Sequence, residues 1–279
     1  MKIIKKASEM QRIALKLFKD GEEVGLVPTM GALHEGHVSL IAKSVKQDDI
    51  TIVSIFVNPT QFGPNEDYLK YPRPFEQDIA VCRKNHVDYV FVPSTADMFP
   101  EGHKTFIEVK DMQDVLCGEY RKGHFRGVAT VVAKLFNITF AERAYFGIKD
   151  FQQLRIIEKT AKDLNFRTKI IPCPTVREKN GLAMSSRNSY LGENEKKSAA
   201  EISKILKEAK TDFKNKNALQ IVKKTRARLE SLPESKIDYV EMRDYNNLSP
   251  ININTKKAVL AVAVRIGKTR LIDNIVLVK

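Results

Sequence analysis

Apolar positions recur with two alternating spacings through the first 175 residues of the chain. Glu23–Val27 reads as a short buried strand, and Val38, Leu40, Ile41 and Val45 follow at roughly helical spacing. Asp49–Val57 is again strand-like, Phe75–His86 helical, and Tyr89–Val92 a strand stopped by Pro93. Val128–Phe140 is apolar and compatible with a helix, and Ala144–Gly147 is a strand. Asp150–Leu164 is amphipathic, with Leu154, Ile157, Ala161 and Leu164 on one face. Thr168–Ile171 is a further strand before Pro172 and Pro174. Strands alternating with helices predict an α/β fold built on a mostly parallel, doubly wound sheet.

The pattern changes near Pro174. Two charged helices are predicted, about Glu193–Lys214 and Ala218–Ser231. Strands follow at Ile237–Met242, Ala258–Ile266 and Arg270–Val278, the last two flanking a hairpin turn at Gly267-Lys268. Helices followed by adjacent antiparallel strands indicate a smaller α+β unit. The expected division is therefore residues 1–175 and residues 176–279.

Composition narrows the class. At 279 residues the chain can bury a sizeable core, and 43% hydrophobic with 29% charged residues is ordinary for a soluble globular protein. No apolar run approaches the length that crosses a bilayer, and Met1–Lys6 lacks the apolar core of a signal peptide. No membrane partner is expected. Three widely spaced cysteines (Cys82, Cys117, Cys173) suggest free thiols in a reducing cytoplasm. A net charge of +13 suits nucleic acid or anionic small substrates. Much of the excess sits in lysine-rich helices such as the stretch from Glu195 through Lys216, which reads as a solvated face. Arg and aromatic residues do not interleave as in nucleic-acid binders, so small anions are the expected partners.

Chemistry concentrates at Val27-Pro28-Thr29-Met30-Gly31-Ala32-Leu33-His34-Glu35-Gly36-His37, where a strand turns into a helix. In an α/β protein that junction faces the carboxyl edge of the sheet, where ligands bind. A helix start offers free backbone N–H groups and a positive dipole end, both suited to phosphate. The glycines let backbone approach a ligand, and the two histidines add donors. A metal-binding pair, a plain helix cap and a nucleotide-binding turn all remain open for this His-x-Gly-His pattern alone. Four more segments fall at strand ends or loops: Phe56–Gly63, Gly118–Val128, Phe146–Gln153 and Gly181–Asn188. Each alone could be a turn or a cap; their joint placement is harder to dismiss.

Taken in order, Pro28–His37, Phe56–Gly63, Gly123-His124-Phe125-Arg126-Gly127-Val128, Gly147–Gln153 and Met184-Ser185-Ser186-Arg187-Asn188 resemble the pantoate–β-alanine ligase (pantothenate synthetase) family. The resemblance implies a Rossmann-like first domain and, commonly, a homodimer that uses Mg²⁺. It implies ATP-dependent adenylation of (R)-pantoate, then attack of β-alanine on pantoyl adenylate to give pantothenate and AMP. It would place Met30, Gly31, Ala32, Leu33, His34, Glu35, Gly36 and His37 on ATP, with His37 matching a proton donor. Gly147, Ile148, Lys149 and Asp150 would form a second nucleotide contact, Lys149 on phosphate and Asp150 nearer the ribose. Val176 would touch adenine through its backbone. Met184, Ser185, Ser186 and Arg187 would close over the phosphates, with Arg187 as the cation. Gln61 and Gln153 would hold pantoate, Gln61 also β-alanine, with Asn58 beside them.

Neutral amides make sense there, since an arginine on the pantoate carboxylate would lower its nucleophilicity. The catalytic set implied is His34, His37, Lys149 and Arg187. The metal ligand is unassigned, with Asp78 a candidate and phosphates and water expected to supply most of the shell. One departure stands out: Lys122 occupies a position where the family usually has proline, which should loosen that loop. The rival readings are another nucleotidyltransferase, which would share the histidines but not need the glutamines, and a basic nucleic-acid-binding protein.

Overall fold

The computed structural model describes residues 1–64, 66–213 and 217–278. Lys214, the expected end of the first charged helix, and Lys216 fall outside them. The strands are β1 (Lys2–Ile4), β2 (Val24–Thr29), β3 (Ile50–Ile55), β4 (Tyr89–Phe91), β5 (Arg143–Gly147), β6 (Lys169–Cys173), β7 (Ser235–Asp244), β8 (Lys257–Ile266) and β9 (Thr269–Val278). The helices are α1 (Ala7–Lys19), α2 (Glu35–Gln47), α3 (Phe75–Lys84), α4 (Thr95–Met98), α5 (Cys117–Tyr120), α6 (His124–Thr139), α7 (Phe151–Asp163), α8 (Glu193–Asp212) and α9 (Ala218–Glu230).

Six strands form one parallel sheet in the order β1-β4-β3-β2-β5-β6, and β7-β8-β9 form a second, antiparallel sheet. Setting β1 aside, the order is that of a Rossmann-like doubly wound sheet, as expected. The chain winds outward one way from β2 to β3 and β4, then returns to place β5 on the other flank of β2. That reversal is the switch point where doubly wound sheets bind ligands. Strand register opens it. β2 pairs with β3 from Val24 to Thr29, but with β5 only at Gly25 and Leu26. Pro28, which has no N–H for a ladder, lies just past the last β2–β5 pair.

Apolar cores account for this arrangement. One face of the parallel sheet packs Leu26, Ile52 and Ala144 against α1, α6 and α7. The other packs Val27, Val53 and Tyr145 against α2 and α3. A separate core joins α8 and α9 to the antiparallel sheet. A fourth cluster joins the two sheets, with Phe125, Phe151 and Ile156 against Tyr239, Val259 and Ala263.

Some elements depart from the sequence pattern. β1, α1 and the short α4 and α5 had no counterpart in it. α6 begins at His124 rather than Val128, because Gly123 adopts a left-handed conformation (φ 79°) that admits the extra turn. Leu164 leaves the expected apolar face: α7 ends at Asp163, and Leu164 is 52% exposed. Pro172 sits within β6, tolerated because β6 is an edge strand. Cys82, Cys117 and Cys173 are buried and free. Among the described residues, no helix is long and apolar enough to cross a membrane.

Candidate active site

The crevice between the diverging ends of β2 and β5 holds a cavity of about 240 Å³. A larger cavity of about 450 Å³ adjoins it toward the antiparallel sheet. Arg121, His124, Lys149, Asp150, Gln153 and Arg187 line both, so these side chains stand where the two spaces meet.

The β2–α2 turn is tied down by its own polar groups. Thr29 Oγ1 donates to the Ser54 carbonyl at 2.8 Å and accepts from Gly31 N. Asp78, almost fully buried on α3, accepts from Ala32 N and Leu33 N at 2.9 and 2.7 Å. These bonds hold Ala32 in the left-handed region at φ 50°, which a non-glycine residue adopts only under such constraint. His34 caps α2: its Nδ1 accepts from Gly36 N at 3.1 Å, and its own N–H donates to His37 Nδ1 at 3.3 Å. A Cβ on Gly36 would lie 2.8 Å from the His34 ring, so glycine is what allows this cap.

Two consequences follow for the chemistry. With both Nδ1 atoms accepting, each neutral ring carries its proton on Nε2, the donor it can offer a ligand. Burial, the adjacent His34 ring and the Lys149 ammonium push His37 down to about 3. Burial and Lys149 push His34 down to about 4. Near neutral pH both rings are therefore uncharged donors. The second consequence corrects an expectation. The N–H groups of Gly31, Gly36 and His37 are already bonded within the turn, His37 N to the His34 carbonyl at 2.7 Å, and those of Ala32 and Leu33 are bonded to Asp78. The side-chain donors that the turn presents to the cavity are therefore the Nε2–H groups of the two imidazoles.

The amides form the floor. Asn58 is 1% exposed, and its Nδ2 donates to Gln61 Oε1 and the Gly127 carbonyl, while its Oδ1 accepts from Thr60. Its polar atoms are thus engaged, and it orients Gln61. With Oε1 accepting, Gln61 presents Nε2–H, whose protein partner is the Met30 thioether, a weak acceptor. The Gln61 backbone is also held: its carbonyl accepts from His124 Nδ1 at 2.8 Å and from Arg121. Burial and the Arg121 guanidinium push His124 down to about 3, so it is neutral and accepts from Arg121 through Nε2. A Cβ on Gly127 would collide with the Thr60 carbonyl, which explains glycine at this helix–turn contact. Gln153 lines the same crevice, and its side-chain amide bonds to none of the described residues. Lys122 is exposed and lines neither cavity; its loop carries the His124 N–Arg121 O bond and the Arg121–Glu66 ion pair.

The far wall comes from β5, β9 and residues 174–187. Lys149 Nζ lies 3.4 Å from Asp150 Oδ1, and Asn274 of β9 donates to the carbonyls of Ile148 and Lys149 at 3.0 and 2.9 Å. Ser185 caps the turn Ser186–Tyr190 by accepting from Arg187 N. Arg187 makes a bidentate pair with Asp67, Nε to Oδ2 at 2.9 Å and Nη2 to Oδ1 at 2.7 Å. The Val176 carbonyl accepts from Met184 N, so its N–H is the backbone group left for a base.

Of the residues expected on nucleotide and substrate, the crevice gathers Met30, His34, Gly36, His37, Asn58, Gln61, Gly147, Lys149, Asp150, Gln153, Val176, Met184, Ser185, Ser186 and Arg187. Gly31, Ala32, Leu33, Glu35 and Ile148 do not line it. Asp78 holds the first group of backbone atoms away, Glu35 points to solvent, and Ile148 packs into the apolar clusters. Asp78, the candidate metal ligand, lines neither cavity, and each of its oxygens accepts a backbone N–H. Among the described residues no group of three or more His, Cys, Asp or Glu side chains stands ready for a metal. Glu66, Asp67, Tyr71 and Asn274 gave no signal in the sequence, because each reaches the site from far along the chain. Arg121 and His124 lay in a flagged motif without a role.

A family model described as pantoate–β-alanine ligase matches residues 2–276. The pantothenate synthetase of Endomicrobium trichonymphae is 69% identical over 280 residues, covering 100% of this chain and 99% of that relative. A crystal structure of pantothenate synthetase from Thermus thermophilus superposes with a TM-score of 0.93 at 38% identity, covering 99% of both chains. The pantoate–β-alanine ligase of Francisella tularensis, complexed with β-γ ATP and β-alanine, gives a TM-score of 0.81 at 40% identity, covering 99% of this chain and 97% of that one. With residues 2–276 matched by that model, the chain belongs to the pantoate–β-alanine ligase family.

Proposed function

We propose that this chain condenses (R)-pantoate with β-alanine, using ATP, to give pantothenate, AMP and pyrophosphate through pantoyl adenylate. The observation that carries the reading is the convergence of two neutral histidines, two glutamines and two cations on one crevice at the switch point. In the first step a pantoate carboxylate oxygen attacks the α-phosphorus, and the bond to pyrophosphate breaks. In the second, the β-alanine amine attacks the acyl carbon, AMP leaves, and the amine gives up a proton. The protein's part is positioning and stabilisation of charge that grows on phosphate oxygens.

Gln61 and Gln153 bind pantoate through amide N–H groups, which orient the carboxylate without quenching its charge. Gln61 also serves β-alanine. His34 and His37 donate from Nε2 to phosphate oxygens, and Lys149 and Arg187 supply positive charge. Ser185, Ser186 and Met184 flank the triphosphate, Asp150 lies toward the ribose, and Val176 N–H toward adenine. Mg²⁺ belongs to this reading as the companion of the triphosphate: this ion typically keeps water and substrate phosphates as ligands, and the crevice offers no side-chain cage among the described residues. Residues 176–279 act as the smaller domain that closes over the nucleotide, in a homodimer.

Exchange of labelled pyrophosphate into ATP tests the adenylation step. Exchange that requires pantoate is expected. Exchange without pantoate, or none with it, would refute the assignment.

A further inference from the structure

Polar contacts without a role in the reaction concentrate where residues 66–71 meet residues 185–190. Arg187 is gripped by both oxygens of Asp67. Ser186 Oγ lies 3.1 Å from the Tyr71 hydroxyl, and the Tyr190 hydroxyl donates to the Lys70 carbonyl at 3.2 Å. Next to Asp67, Glu66 holds Arg121 with Nη2–Oε2 at 2.5 Å. Asp67 and Arg187 both line the larger cavity, and their side chains are only 24% and 28% exposed. The pair is thus part of the cleft wall, where solvent screening is incomplete.

A carboxylate that meets a guanidinium with two oxygens presents what a phosphate would present: two acceptors and negative charge. We propose that Asp67 is an internal stand-in for a nucleotide phosphate, holding Arg187 until ATP displaces it and so weakening the enzyme's affinity for ATP. This rests on Arg187 being the phosphate cation of the reading above. The two anions compete for one fork, because Arg187 cannot face both with Nε and Nη2 together. Burial opposes ionisation of Asp67, and the Arg187 guanidinium overcomes it, leaving the carboxyl below its usual range. The competitor is therefore charged at neutral pH. The Tyr71–Ser186 and Tyr190–Lys70 bonds hold residues 66–71 against residues 185–190, so Asp67 is a positioning residue acting through Arg187. The exchange also neutralises Arg187 when the site is empty, which favours departure of phosphate products.

Calorimetric titration of ATP into wild type, Asp67→Asn, Arg187→Ala and the double variant tests this. Asp67→Asn should tighten ATP binding roughly three- to tenfold, the scale of a partly exposed ion pair. Asp67→Ala, which removes both oxygens, should do so at least equally. Arg187→Ala should weaken binding, and adding Asp67→Asn to it should change nothing further. A clamp with a purely structural role would lower thermal stability without tightening ATP, and that result overturns the proposal. A tightening that persists without Arg187 also overturns it, since it reports only loss of a nearby charge. If Arg187→Ala leaves ATP affinity unchanged, the assignment of Arg187 to phosphate fails and takes the stand-in with it. If Arg187→Ala weakens binding but Asp67→Asn does not tighten it, the stand-in alone is wrong.

Discussion

The two walls of the cleft are built in opposite ways. The His34–His37 wall satisfies its polar groups mostly within residues 29–37, with Asp78 and the Ser54 carbonyl as its remote anchors. The Arg187 wall is held by partners 115–126 positions away: Asp67, Tyr71, Lys70 and Asn274. The first wall needs no rearrangement to present two Nε2–H donors. In the proposed scheme the second exchanges one anionic partner for another before its cation meets a ligand. Preorganised donors suit the atoms where charge develops, while a releasable cation suits a nucleotide that must enter and leave.

Removing a preorganised donor should be the most damaging change. His37→Ala should lower pantoate-dependent pyrophosphate exchange by about 10²–10³-fold, read from initial rates. A loss below tenfold would mean that the local wall is not the principal electrostatic element. Acid should damage the same wall. Both histidines have folded values depressed from 6.5, to about 4 and about 3. Their contribution to stability is therefore present above about pH 6.5 and lost as pH falls toward those values, on the order of 2 kcal/mol for each imidazole by pH 4.5. Denaturant titrations between pH 7 and pH 4.5 measure it, and His34→Asn should flatten the slope.

Asp78→Ala tests the remote side-chain anchor. It leaves the Ala32 and Leu33 N–H groups without acceptors and should cost about 2–3 kcal/mol of unfolding free energy. A loss under 0.5 kcal/mol, as an order-of-magnitude threshold, would show that the turn holds itself. Gln153→Glu should raise the pantoate KM by at least roughly tenfold, about 1.4 kcal/mol, by placing like charges together. An unchanged KM removes Gln153 from the pantoate site. The smallest effect belongs to the far wall's scaffold. Asn274→Ala removes two bonds to the Lys149 segment and should raise the ATP KM by a few-fold, about 1 kcal/mol, with kcat nearly unchanged.

The alternation of spacings was enough to read the parallel sheet, the smaller helix-and-strand unit and most core strands, because burial imposes its period directly on the residues of each element. The β2–α2 turn was equally legible, since its glycines, histidines and helix start lie within ten residues. Short elements escaped: β1 is three residues long and pairs only with β4, so it leaves too few positions for a period. Even in the legible turn, one inference needed the fold. Backbone N–H groups of the turn looked free for phosphate, yet the Thr29 hydroxyl, Asp78, the two rings and the His34 carbonyl take most of them up.

By itself, then, the sequence determined the alternating architecture, the strand-to-helix turn with its two imidazoles, and, through its ordered motifs, the family and its substrates. Tertiary structure alone decided three things. The early parting of β5 from β2 makes the crevice. Asn58 and His124 aim Gln61. Asp67 rather than solvent faces Arg187. The physical reason is range: periodicity and turn chemistry act between neighbours in the chain. Hydrogen bonds and ion pairs across a hundred residues depend on the fold that brings their partners within about 3 Å.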